Sequence, residues 1–126
     1  MMRHYKYYKV DAEGKGLIIE KTRTVVEREG VPLAILFGSF VELDAFRDVD
    51  VAVYLKSLEL NHLFRLVCRL EEELGLPVDV VPLNTIPPKF RQHILLKGKV
   101  ILEKHLGLYE ALIMQTLDEM ALLGER

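Results

Sequence analysis

The stretch "LFGSFVELDAFRDVDVAVYL", Leu36 to Leu55, decides how this chain is read. An apolar run stops at Gly38-Ser39, and an eight-residue spacer, "FVELDAFR", leads to Asp48-Val49-Asp50 at the head of a second apolar run. "LAILF" (Leu33–Phe37), bounded by Pro32 and Gly38, has the length and composition of a buried strand, and Val49–Leu55 reads as another. Side chains two apart on a strand share a face, so Asp48 and Asp50 project together, about 7 Å apart at Cα. Two carboxylates that close repel one another unless a cation lies between them. A hard cation with oxygen ligands, Mg²⁺ above all, suits such a pair together with substrate phosphates. Taken alone, the motif also fits a turn that ends at Asp48 and a solvated strand end at Asp50.

Two neighbouring features weigh on that choice. Gly38 permits close approach of backbone to a ligand, and Ser39 offers a hydroxyl and an N–H to phosphate oxygens. A helical turn beginning there would add free N–H groups that favour an anion, although Gly-Ser after a strand is also a common turn. Further on, "PVDVVPL" (Pro77–Leu83) reads as a third strand with Asp79 among valines. An unpaired carboxylate buried in so apolar a strand is costly. Asp79 therefore either meets an Arg or Lys or joins Asp48 and Asp50 as a third acid. The three features together are far more specific than any one.

Around this centre the chain alternates helical and extended signals. Residues 1–11, with Tyr5, Tyr7 and Tyr8, suit a short edge strand or an ordered tail, and "DAEGKG" (Asp11–Gly16) reads as a turn. Leu17 to Glu29 suits a helix with Leu17, Ile18 and Val25 on one face, ended by Gly30. Ser57 suits the N-cap of a helix running to Leu74 with a stripe of Leu60, Leu63, Phe64, Val67, Leu70 and Leu74, stopped by Gly75 and Pro77. "PPKFRQHILLKG" opens with prolines fitted to a first helical turn, "KVILE" adds a short strand, and 106–123 forms a last helix. That order predicts a mixed α/β, or α+β, fold in a single domain over residues 1–126.

Composition narrows the function classes. Half the residues are hydrophobic, and the 17 basic and 19 acidic residues leave a net charge of −2 with no basic stripe, so direct nucleic-acid binding is not expected. No apolar run is long enough for a transmembrane helix, and the polar, aromatic N-terminus lacks the core of a signal peptide. The expected location is cytoplasmic. Cys68 is the sole cysteine, which excludes an intrachain disulfide and a cysteine-based zinc site, and its place near the helical stripe predicts a small buried hydrophobe. His4, His62, His93 and His105 show no metal-ligand spacing, Asp44 reads as a solvated loop acid, and Arg47 is open between a phosphate contact and a screen for Asp48.

The series "LFGSF…RDVDVAVYL…PVDVVPLN" resembles the minimal nucleotidyltransferase (MNT) family of the DNA polymerase β superfamily, over roughly residues 15–105. The spacer differs, being eight residues where the family usually has ten. The resemblance implies a small mixed sheet flanked by helices, with the active site at one edge. It implies that Gly38 and Ser39 hold nucleotide phosphates, that Asp48 and Asp50 bind Mg²⁺, and that Asp79 completes the metal site and helps deprotonate the attacking hydroxyl. Nucleotidyl transfer is an in-line displacement in which two metals about 3.5–4 Å apart steady the entering and leaving oxygens.

Small members of this family typically pair with a HEPN-domain toxin and act as its antitoxin. The resemblance thus implies ATP as donor and a hydroxyl of the HEPN-domain protein as acceptor. The helix over 106–123 is the expected docking element, with self-packing or a homo-oligomer contact as its other readings. A contrasting expectation is a catalytically silent binding module that neutralises its partner sterically. A small-molecule acceptor is disfavoured, because the chain has no additional acceptor domain.

Overall fold

The computed structural model describes residues 6–125; His4 and Tyr5 lie outside them. The elements run β1 (Tyr8–Lys9), α1 (Ala12–Arg28), β2 (Leu33–Phe37), α2 (Ser39–Glu42), β3 (Ala45–Phe46), β4 (Val49–Tyr54), α3 (Leu60–Leu74), β5 (Val78–Pro82), α4 (Pro88–Lys97), β6 (Lys99–Glu103) and α5 (Leu108–Leu122). Four strands form a mixed sheet in the order β5-β4-β2-β6, and β1 pairs with β3 in a separate two-stranded ribbon. β2 is antiparallel to both β4 and β6, while β4 and β5 are parallel. This is the expected α+β arrangement of a small mixed sheet flanked by helices.

Strand alternation divides the core into two. Ala34, Leu36, Val49, Val51 and Val53 face α1 and α3, which supply Val25, Val26, Leu66 and Leu70. Leu33, Ile35 and Ala52 face the other way, toward Ile94, Leu95 and Leu112 of α4 and α5. β2 and β4 are covered on both faces, which explains why their sequences are nearly continuous apolar runs rather than alternating ones.

Five local expectations change. "DAEGKG" is no turn, because Asp11 accepts a hydrogen bond from the Gly14 N–H at 2.7 Å and caps α1, which begins at Ala12. A good N-cap with Glu13 in the first turn outweighs the cost of two helical glycines, about 1 kcal/mol each. Leu17 points to solvent while Ile18, Thr22, Val25 and Val26 form the buried face.

Ser57 does not cap α3, which starts at Leu60 with Glu59 at its N-cap position. The side chain of Asn84 binds both the N–H and the C=O of Leu55, at 3.1 and 2.7 Å, holding the chain extended beyond β4. The apolar stripe of α3 is turned toward Leu66 and Leu70, leaving Leu60 81% and Phe64 71% exposed. Cys68 follows them outward and is exposed, not buried. None of the described helices is long and apolar enough to cross a membrane.

Candidate active site

The pairing register assembles the site. In the antiparallel pair, Phe37, the last residue of β2, lies opposite Asp50, so the Gly38-Ser39 corner follows directly beside that acid. In the parallel pair, Asp50 lies beside Asp79. Asp48 precedes β4 by one residue and stands two before Asp50, on the same side. One carboxylate oxygen from each of Asp48, Asp50 and Asp79 lies within 4.8 Å of the others, the sole such acid, His or Cys group among the described residues.

Asp79 reaches this cluster from an edge strand and is exposed. The cost of burying a carboxylate was therefore the wrong reason to single it out. What brings it to the site is register. Asp44 and Arg47 are exposed, and His62 does not ligate: its Nε2 lies 3.1 Å from the Glu29 carbonyl, linking α3 to the end of α1.

Electrostatics single out Asp50. Burial pushes its carboxyl up from the ordinary 3.8 to about 7, reinforced by the charges of Asp48 and Asp79 and by a side-chain hydrogen bond with Asp48. Near neutral pH a proton on Asp50 would therefore compete with any cation taken up by the cluster. Three carboxylates converging within a few ångströms are the hard oxygen donor set that Mg²⁺ takes, with open positions left for phosphate oxygens.

Gly38 is required twice over. Its φ of 78° lies in the left-handed region that side chains rarely adopt, and a Cβ there would collide with the Asp50 carboxylate. From this corner the one-turn helix α2 departs. The N–H groups of Val41 and Glu42 both bond the Gly38 carbonyl at 3.1 Å, leaving the Ser39 N–H at the start of the turn. Phe40 anchors α2 by inserting its ring edge-on against Phe46, with centroids 4.9 Å apart.

Two features escaped the sequence reading. Lys15 of α1 reaches across to the carbonyls of Phe40 and Leu43, each at 2.8 Å. The available signal was the Asp11–Glu13 helix start, which a turn reading hides. The second is an aromatic edge: Phe90 of α4 meets Phe37 with centroids 6.0 Å apart and planes at 79°. Phe37 shares its sheet face with Asp50, and Phe90 is partly exposed.

Known proteins share this sequence pattern and fold. Residues 20–106 match the family described as "Polymerase beta, Nucleotidyltransferase". No curated protein sequence gives a significant match. Among solved structures, a tri-AMPylated Shewanella oneidensis HEPN toxin in complex with MNT antitoxin contains a chain 22% identical to this one, with a TM-score of 0.72 over 86% of this chain and 88% of that one. A toxin–antitoxin structure with AMP-PNP gives 23% identity and a TM-score of 0.73, covering 83% of this chain and 88% of that one. A candidate minimal nucleotidyltransferase is 27% identical with a TM-score of 0.62, covering 71% of this chain and 94% of its own. On sequence and fold together, this chain belongs to the nucleotidyltransferase family of the polymerase β superfamily, with the fold of its minimal members.

Proposed function

We propose that this protein is a Mg²⁺-dependent nucleotidyltransferase that moves AMP from ATP to a hydroxyl group of a HEPN-domain protein, and that it serves as the antitoxin of that pair. The observation that carries the reading is the meeting of Asp48, Asp50 and Asp79 carboxylate oxygens within 4.8 Å, beside a Gly38-Ser39 corner shaped by the Asp50 carboxylate itself. Support for the donor and the partner comes from the relatives, one crystallised with AMP-PNP and one with an AMPylated HEPN toxin.

In this reading Asp48, Asp50 and Asp79 hold Mg²⁺, which when bound neutralises phosphate charge and stabilises the leaving pyrophosphate. Gly38 and Ser39 hold the outer phosphates through backbone N–H groups and the Ser39 hydroxyl. Asp79, the most open of the three acids, accepts the proton of the attacking hydroxyl. The hydroxyl oxygen bonds to the α-phosphorus as the bond from that phosphorus to the bridging oxygen breaks, and pyrophosphate departs. The aromatic edge of Phe37 and Phe90, on the sheet face that carries Asp50, suits an acceptor whose hydroxyl sits on an aromatic ring.

Incubation with labelled ATP, Mg²⁺ and a HEPN-domain protein from the same source tests the proposal. Label should enter the partner and disappear with Asp50→Ala. Binding that survives Asp50→Ala, with no label transferred by the native chain, would instead establish a steric neutraliser.

A further inference from the structure

We propose that Lys15 is a positioning residue that sets the Gly38-Ser39 phosphate corner from outside it, by holding the C-terminal carbonyls of α2; this deepens the nucleotidyltransferase reading and rests on it. A single helical turn is unstable by itself, because nucleation fixes several residues for few hydrogen bonds. α2 has only four residues and no side-chain cap at its N-terminus. Its internal bonds use the carbonyls of Gly38 and Ser39. The Lys15 ammonium takes those of Phe40 and Leu43, both at 2.8 Å, and lies 5.3 Å from the centre of the Phe40 ring. A cation at the C-terminal end of a helical turn also complements its dipole.

The Lys15 stem is fixed in turn by the first turn of α1, whose cap is the Asp11 carboxylate on the Gly14 N–H. A continuous path therefore runs from the Asp11 cap through Lys15 to α2, and through α2 to the backbone that faces Asp50. With its ammonium committed to two carbonyls, Lys15 acts through α2 rather than on a phosphate. Loss of the ammonium should loosen Ser39–Leu43 while leaving the acid cluster, which hangs on β4 and β5, in place.

The test uses Lys15→Met, which keeps the stem and removes the charge, with Lys15→Arg as the conservative variant and Leu112→Ala, in the α4–α5 core, as a control for lost stability. Amide hydrogen exchange of Ser39–Leu43 should speed up about tenfold in Lys15→Met and stay near native in Lys15→Arg and Leu112→Ala. Binding of Mg²⁺·AMP-PNP, followed by calorimetry, should weaken about tenfold in Lys15→Met alone. Unchanged exchange in Lys15→Met, or faster exchange with unchanged nucleotide affinity, would overturn the proposal, as would equal weakening by Leu112→Ala. Failure of the native chain to bind Mg²⁺·AMP-PNP would count against the phosphate-corner reading itself, and the exchange data would then decide the role of Lys15 in shaping α2.

Discussion

Arg91 is a buried charged group and Asp50 a half-buried one, and their surroundings differ in kind. Arg91, 2% exposed, donates to the Thr116 hydroxyl at 2.8 Å, to the Leu83 carbonyl at 3.2 Å and to the Glu119 carboxylate. Those contacts tie α4 to α5 and to the end of β5, and the opposing charge comes from within the chain. Asp50 meets like charge instead, and burial, Asp48 and Asp79 all act to raise its pKa. Acids this close relieve their repulsion either by keeping a proton, as Asp50 does up to about pH 7, or by taking a cation between them. The first region holds the fold, and the second, in the proposed function, receives a cation.

The largest expected break in this contrast is catalytic. Asp50→Ala should cut nucleotidyl transfer at least about a thousandfold, because it removes several kcal/mol of charge stabilisation at the reacting phosphate. The same variant should be no less stable than the native protein above pH 7, since it also removes repulsion. Rate and denaturant midpoint, measured on one preparation, check both halves.

Arg91→Ala should behave in the opposite way and lose about 2–4 kcal/mol of stability, because it strands the buried Leu83 carbonyl and Thr116 hydroxyl and leaves the partly exposed Glu119 carboxylate without its cation. Urea unfolding reads this directly. Replacing Arg91 and Glu119 together by apolar residues of similar size should recover most of the loss.

Gly38→Ala comes next, at about 1–3 kcal/mol of strain from a positive φ and from contact with Asp50. Its signature is that nucleotide binding fails while the far core, reported by exchange at Ile94 and Leu112, stays native.

The smallest effect is a pH dependence. The folded chain holds a proton on Asp50 up to about pH 7, whereas the unfolded chain releases it near 3.8. Stability should therefore fall as pH rises through that window, by on the order of 1 kcal/mol once solvent screening of a half-exposed group is allowed for. Thermal unfolding in EDTA at pH 5 and pH 8 should show the drop, millimolar Mg²⁺ should offset it at pH 8, and Asp50→Asn should flatten it.

The uneven legibility of the sequence follows the same physics. β2 and β5 could be read because short apolar runs between proline, glycine or asparagine leave few options. The face presented by α3 could not, because Leu60 and Phe64 continue the helical period as well as Leu66 does. Only packing against α1 and β5 selects the inward side. The start of α1 was hidden because Gly14 and Gly16 signal a turn, while the Asp11 cap that outweighs them is a single hydrogen bond.

The sequence alone determined the four strands of the main sheet, the order of the chemical groups along them, and the pairing of Asp48 with Asp50, since each follows from local composition and from strand alternation; the short β3 within the spacer carried no such signal. Tertiary structure decided that Asp79 stands beside Asp50, that Asp50 binds its proton up to about pH 7, and that Lys15 holds the turn after Gly38. Those depend on register and burial between segments 25 to 30 residues apart, which no local pattern encodes.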